Sequence, residues 1–301
     1  MNWELEFIRW LQSHSSPFFD YLIYIFTQFG AEILFMLAVM ILYWCIDKRE
    51  GYRLINVFML SQLVVGLIKV TVKRVRPFYL EGIRPILEQT AGYAFPSGHS
   101  NNIAVICTDV CLAAKNKWTK AFRTVVIISC FLVPVVMFSR VYLGQHYPTD
   151  VIVGGMIGVG IGILGYWLFD LLADREEKLM LVILPLCAVL LGVGIYYYIV
   201  NGDAPDAIVK AAGAYAAVSV GYYLEKKKVR YCVKSERIWK YFVRFLLGAF
   251  MAIVLKEGLK AIFNLFAHGV WSLVLTEFAR YFILGIFATL FAPMIFKKLK
   301  I

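Results

Sequence analysis

Ser139-Arg140-Val141-Tyr142-Leu143-Gly144-Gln145-His146-Tyr147-Pro148-Thr149-Asp150 is a polar island between two apolar runs, 122–142 and 149–172. A helix of about 20 mostly apolar residues crosses a bilayer, so the chain turns here at a membrane surface. Pro148 disfavours a helix through Tyr147 and suits a helix start at 148–149. Asp150 then falls in the first turn, where its carboxylate can accept a hydrogen bond from one ring nitrogen of His146. That bond would leave the other nitrogen's lone pair exposed as a nucleophile. Taken alone, the pattern suits a helix-capping Asp beside a structural histidine equally well.

Two further stretches add to it. Lys69 and Arg76-Pro77 form K-x6-RP. Seven residues are about two helical turns, so Lys69 and Arg76 project from similar faces if the helix continues. Pro96-Ser97-Gly98-His99 precedes another apolar run, with Asn101 and Asn102 close behind. Pro96 can open a helix whose first-turn N–H groups make an anion site, and Gly98 allows close backbone approach. A phosphate ester needs its negative charge neutralised, and Arg76, Arg140 and Lys69 supply two guanidinium forks and a compact ammonium. Individually these are a snorkelling lysine, a loop turn and a common Pro-Ser-Gly turn. Their order and spacing together point to phosphoryl chemistry at a membrane surface. The chain has four histidines, and two of them, His99 and His146, lie in the motifs. His14 reads as interfacial and His268 as a loop residue.

The 301 residues are 61% hydrophobic with a mean hydropathy of +0.72, against about 45–50% apolar in a soluble domain. Spans are expected near 20–45, 52–72, 97–114, 122–142, 149–172, 179–200, 205–224, 241–263 and 271–296. Residues 1–16 mix Trp3, Phe7, Ile8, Trp10 and Leu11 with Glu4, Glu6 and Arg9, which reads as a short helix lying in the interface, stopped or kinked by Pro17. The start shows no cleaved signal peptide. The net charge of +11 does not call for nucleic acid. The cations gather at 47–53, 115–123, 225–240 and 297–300, which nine spans place on one, cytoplasmic, side. The loop with Asp203 and Asp206 and the region of His268 fall opposite. So do the motif loops 73–96 and 140–148, making the site extracytoplasmic; Lys73, Arg74, Arg76 and Arg84 break the charge rule there. The six cysteines form no CxxC pair and read as buried thiols, and no carboxylate cluster suggests a metal site.

The complete set Lys69, Arg76, Pro77, Pro96, Ser97, Gly98, His99, Ser139, Arg140, His146 and Asp150 resembles the signature of the type 2 phosphatidic acid phosphatase (PAP2) superfamily, over roughly residues 15–172. The resemblance implies an all-α polytopic membrane helix bundle, with a PAP2-like core in residues 1–178 and additional transmembrane helices of unassigned role in 179–301. It implies a metal-independent phosphatase without cofactor, acting on a membrane lipid phosphate or pyrophosphate. In such an enzyme His146 attacks phosphorus, Asp150 orients it, and His99 protonates the leaving oxygen and then activates water. Lys69, Arg76, Arg140, Ser97 and the Gly98 backbone hold the phosphoryl oxygens, and Ser139 supports Arg140. Undecaprenyl pyrophosphate, phosphatidylglycerophosphate and phosphatidic acid are the candidate substrates in a bacterial plasma membrane.

Two other readings use the same residues: a lipid phosphotransferase, and a lipid transporter or scramblase with a relic site. The second is motivated by late intramembrane charges at Arg244, Lys256, Glu257, Lys260, Glu277 and Arg280. Glu277 is expected to pair with Lys256 or Lys260. Asp109 lies about 15 Å along its helix from His99, too far to join the chemistry.

Overall fold

The computed structural model describes every residue except Met1, Trp118, 202–205, 267–268 and 270–271. Asp203 and His268 therefore lie outside the described residues. Among those described there is no β-strand. The helices are α1 (Asn2–Ser13), α2 (Pro17–Thr27), α3 (Glu32–Ile41), α4 (Lys48–Val72), α5 (Gly98–Asn116), α6 (Thr119–Tyr142), α7 (Pro148–Leu171), α8 (Met180–Asn201), α9 (Asp206–Leu224), α10 (Ile238–Asn264), α11 (Arg280–Ile286) and α12 (Ala292–Leu299). Wider π-helical turns at Leu42–Ile46, Leu273–Ala279 and Phe287–Phe291 continue or join some of them.

Among the described residues six segments are long and apolar enough to cross a membrane: Lys48–Tyr79, Thr119–Tyr142, Pro148–Leu171, Arg175–Val200, Ile238–Asn264 and Thr276–Leu299. The pair Pro17–Gly30 and Glu32–Ile46, bent by 51°, makes a seventh if counted as one span. Two of the nine expected spans do not meet the same test, α5 and α9. Each has 19 residues, about 28 Å of helix, so composition and not length sets them apart. The reason is burial: a helix enclosed by other helices need not be apolar towards lipid. On α5, Asn101 accepts from the Ser61 hydroxyl (2.7 Å), while Asn102 accepts from Gln62 (2.5 Å) and donates to the Gly30 carbonyl (3.0 Å). The lipid-facing pattern is plain on α10, where Ile238, Phe242, Leu246, Phe250 and Ile253 are exposed at helical spacing, an apolar stripe that only hydrocarbon would solvate.

The chain forms two compact units, Met1–Ala38 with Leu54–Asp170, and Val39–Arg53 with Leu171–Ile301. The second unit thus includes residues 39–53, which a division at 178 leaves with the first.

In the first unit an apolar cluster lies beneath the motif loops. Ile8 and Leu11 of α1 pack with Phe78, Ile83, Ile86, Leu143, Tyr147 and Val151. The face of α1 that is not in this cluster exposes Trp3 and Trp10, as suits an interfacial helix. Ser16 caps α2 by accepting from the Phe19 N–H (3.5 Å), and Pro17 occupies the first turn.

In the second unit several buried charges are closed into ion pairs. Lys48 meets Glu225 at 2.8 Å, Lys226 meets Glu176 and Glu177 at 3.0 and 2.8 Å, and Arg53 pairs with Glu50. Glu277 pairs with Lys210 of α9 at 3.0 Å, not with Lys256 or Lys260 as expected. Lys256 instead approaches its exposed neighbour Glu257 (3.7 Å). The largely buried helix α9 brings Lys210 to Glu277, whereas Lys256 is half-exposed.

Candidate active site

The first unit brings the three motifs together. α4 does not continue to Arg76: it ends at Val72, and Lys73 turns the chain with φ of 52°. Lys69 is therefore the last-turn cation of a helix, with its ammonium 3.4 Å from the Tyr93 carbonyl. Arg76 lies in extended backbone just before Pro77. The two cations reach the site from different local structures, not from one helix face.

Arg76 is almost fully buried. It donates to the carbonyls of Ala91 (2.9 Å), Gly92 (2.9 Å) and Gln145 (3.1 Å), and its Nη1 lies 3.1 Å from His146 Nε2. Arg140, also buried, donates to Glu88 Oε1 (2.5 Å), Thr27 Oγ1 (3.1 Å) and Thr90 Oγ1 (3.2 Å). Ser139 bonds back to the Val136 carbonyl at 2.6 Å.

Ser97 is the N-cap of α5. Its Oγ accepts from the Ser100 N–H (3.4 Å) and hydroxyl (3.0 Å), which leaves its own O–H free to donate outward. The Ser97 N–H donates to the Asp150 carbonyl at 3.0 Å, which pins α5 to α7. Gly154 permits this approach, because a Cβ there would lie 2.5 Å from the Ser97 carbonyl oxygen. The first-turn N–H groups of Gly98 and His99 have no main-chain partner in the helix. The His99 ring makes no hydrogen bond to another described residue and is half-buried.

The His146 ring departs from expectation in an informative way. Its Nδ1 is 2.7 Å from the Ala94 carbonyl oxygen and 3.6 Å from Asp150 Oδ2. The second distance is too long for a hydrogen bond. Asp150 is engaged elsewhere: Oδ2 accepts from the Tyr147 N–H (2.9 Å), and Oδ1 accepts from Arg74 (2.5 Å). This is a capping box, in which a third-position acid satisfies the N-cap amide. A carbonyl can only accept, so Nδ1 carries the proton, and the Nε2 lone pair faces the Arg76 guanidinium. Burial first, then the charges of Arg140, Arg76 and Lys69, push the His146 pKa well below the ordinary histidine value. The ring stays neutral, with Nε2 unprotonated.

Several residues with no motif signal complete the site. Gln145 is buried, accepts from the Thr90 N–H (3.1 Å) and donates to the Glu88 carbonyl (2.7 Å), which fixes the 88–90 segment against Arg140. Gly144, with φ of 72°, makes the turn before it. Glu4 and Thr149 join Arg74 and Asp150 in a further hydrogen-bonded network at this loop. A polar residue in an otherwise amphipathic first helix was the one available sign of Glu4.

Residues 50–174 match the family described as the PAP2 superfamily, and residues 209–301 match the PAP2 superfamily phosphatase transmembrane extension. The chain belongs to the PAP2 superfamily. Sphingosine-1-phosphate phosphatase 1 of Mus musculus is 25% identical over 216 residues, 68% of this chain and 50% of that protein. Phosphatidylglycerophosphatase B of Bacillus subtilis is 32% identical over 133 residues, covering 43% of this chain and 60% of that protein. The chain spans about half the length of the sphingosine-1-phosphate phosphatases it matches. Among solved structures, the transmembrane PAP2-type phosphatidylglycerolphosphate phosphatase of Bacillus subtilis gives a TM-score of 0.49 at 24% identity, over 56% of this chain and 85% of that one.

Within the PAP2 superfamily signature, all the catalytic and phosphate-binding positions expected from sequence fall in the first unit, and the second unit holds none of them.

Proposed function

We propose that this chain is an integral membrane phosphatase that hydrolyses a lipid phosphate or diphosphate through a phosphohistidine at His146, without a metal ion. The observation that carries the reading is the fixed Nδ1–H donation to the Ala94 carbonyl, which leaves the Nε2 lone pair beside Arg76 in a site lined by cations.

Nε2 attacks phosphorus while the bond to the leaving oxygen breaks, and that oxygen takes a proton from His99. Water then attacks the phosphohistidine and gives a proton to His99. The P–N bond breaks, and phosphate leaves with both rings restored. Lys69, Arg76 and Arg140, the Ser97 hydroxyl and the Gly98 N–H stabilise the phosphoryl oxygens, as expected for a reaction governed by positioning and charge stabilisation. The incoming phosphoryl group also neutralises those three cations, which lets the nearby His99 ring hold the proton it must donate. Asp150 acts on the turn that carries His146 and not on its ring.

The catalytic part is residues 1–178, and 179–301 are additional membrane helices. The basic loops 47–53, 115–123 and 225–240 support a cytoplasmic placement for themselves and an extracytoplasmic one for the site, in a bacterial plasma membrane. The relatives' names support a substrate among phosphatidylglycerophosphate, undecaprenyl pyrophosphate and sphingoid-base phosphates, and the family resemblance adds phosphatidic acid.

The test is phosphate release by purified protein in detergent with EDTA, over that panel of lipids, with His146→Ala as control. Release that survives EDTA and requires His146 is expected. Transfer to an added alcohol in place of release would make the chain a phosphotransferase. No turnover of any lipid by folded protein would overturn the hydrolase reading and favour transport.

A further inference from the structure

Arg74 is not among the signature residues, yet both supports of the His146 ring pass through it. Its Nη1 donates to Asp150 Oδ1 (2.5 Å) and Thr149 Oγ1 (2.7 Å), and its Nη2 donates to Glu4 Oε2 (2.6 Å). The guanidinium carbon lies 3.7 Å from the centre of the Tyr147 ring. On the main chain, the Arg74 carbonyl accepts from the Ala94 N–H at 2.8 Å. Ala94 is the residue whose own carbonyl receives the His146 Nδ1 proton at 2.7 Å. One residue thus holds the turn on which His146 sits and the acceptor that orients its ring.

Glu4 closes the arrangement from α1. Its second oxygen, Oε1, accepts from the Thr149 N–H (3.0 Å) and hydroxyl (2.8 Å). Burial alone would raise the Glu4 pKa, but the Thr149 hydrogen bonds and the Arg74 charge outweigh it and hold the carboxyl below its ordinary value. Two carboxylates therefore claim Arg74. This separates it from Lys69 and Arg76, whose described contacts are carbonyls and the His146 ring. Those two remain available to an anionic ligand, whereas Arg74 is committed to the protein. The task needs an arginine, because a planar fork spans three acceptors and stacks on a ring where a lysine ammonium cannot.

We propose that Arg74, braced by Glu4, is a positioning residue for the nucleophile: it fixes the 147–150 turn and the Ala94 carbonyl relative to each other and so sets the orientation of the His146 ring. This rests on the reading of His146 as the nucleophile. It also joins a helix with lipid-facing tryptophans to the reacting group, since α1 supplies both Glu4 and the exposed Trp3 and Trp10.

The test uses the full chain in lipid nanodiscs, as wild type, Arg74→Gln, Arg74→Lys and Glu4→Gln, with two independent readouts. The first is phosphate release from the best lipid of the panel. Arg74→Gln is expected to lower kcat about a hundredfold, the scale of a small misplacement of a reacting group, with KM changed less than about threefold, the mark of an effect not on ground-state binding. Glu4→Gln is expected to lose about tenfold, and Arg74→Lys to fall between the two, by the same reasoning. The second readout is the ¹⁵N NMR spectrum of the histidine side chains. It is expected to show His146 as the Nδ1–H tautomer in wild type and as a mixture in Arg74→Gln. An unchanged kcat in Arg74→Gln would overturn the proposal. So would a lowered kcat with the wild-type tautomer retained, which would mark a role in fold stability alone. If wild type turns over no lipid, the nucleophile reading falls, and the tautomer spectra still decide whether Arg74 orients the ring.

Discussion

The two units of the chain differ in how several of their buried cations are answered. In the second unit, acids and bases neutralise one another: Lys48 with Glu225, Arg53 with Glu50, Lys226 with Glu176 and Glu177, Lys210 with Glu277. In the first unit, Lys69 and Arg76 rest on main-chain carbonyls and a histidine, and take no carboxylate within ion-pair distance among the described residues. Carbonyl oxygens offset only part of a full positive charge, so Lys69 and Arg76 keep an unspent attraction for anions; in the second unit Arg244 is also answered by a carbonyl, but it lies against the rings of Tyr231 and Tyr241 and not beside a histidine. A buried cation without a counter-charge does not by itself mark a site; Lys69 and Arg76 stand apart because their charges, with that of Arg140, converge on the His99 and His146 rings.

The largest expected effect tests the first unit's side of this contrast. His146→Ala should cost about 10⁴-fold or more in kcat, the order lost when a covalent nucleophile is removed, measured as phosphate release. Arg76→Lys keeps the charge and discards the fork that binds three carbonyls and faces Nε2; it should cost about a hundredfold in kcat/KM, the scale of losing one preorganised donor. The second unit should answer differently. Glu225→Gln leaves Lys48 without its counter-charge and should destabilise the protein by about 3 kcal/mol, the usual penalty for breaking a buried pair, with kcat per folded molecule unchanged. A thermal melt read beside the turnover assay separates the two quantities. If Glu225→Gln instead lowered kcat without lowering stability, the contrast between the units would fail.

Glu88 is a smaller and sharper probe. Its carboxylate sits on Arg140 at 2.5 Å, a position a phosphoryl oxygen would want. Glu88→Gln should lower KM about threefold by removing a competing anion, an effect on the scale of a partly exposed ion pair; a raised KM would show that Glu88 holds Arg140 in place for the ligand. The smallest effect is a predicted absence of change. Because burial and three cations hold the His146 pKa well below 6.5, its ring should stay neutral at pH 6.5, where an ordinary histidine is half protonated, and its ¹⁵N shifts should stay flat from pH 8 to 6.5. Protonation near pH 6.5 would mean the ring is solvated.

Much of this was legible in the sequence, and the illegible part has a common cause. Spacing located Lys69, Arg76, Ser97, Gly98, His99, Arg140, His146 and Asp150 in one region, because motif residues at helix ends converge when the helices are antiparallel neighbours. Length and apolarity located the spans, but α5 and α9 differ from the rest because enclosure, which composition does not reveal, relieves them of facing lipid. α4 ends at Val72 with no glycine or proline beside it, so only Pro77, which disfavours a helix through Arg76, announced that Arg76 leaves the helix. The Asp150 bond was assigned to the nearest attractive partner, the His146 ring. The structure gives that proton to a carbonyl 52 residues away and gives Asp150 to Arg74 and the Tyr147 amide. Glu4 meets Arg74 across 70 residues, and Glu277 finds Lys210 for the same reason: ion pairs between distant segments leave no trace in spacing.

The Ala94 carbonyl has one more consequence. Phosphate attached to an imidazole exists as two positional isomers, and with His146 as the proposed nucleophile, main-chain geometry would select between them. With Nδ1 committed to a peptide oxygen, only the Nε2-linked species can form, so the trapped adduct should be the 3-phosphohistidine isomer, which ³¹P NMR distinguishes from the 1-isomer. Because the acceptor belongs to the backbone, substituting the side chain at position 94 leaves it in place, and the regiochemistry of the covalent step is written into the path of the chain.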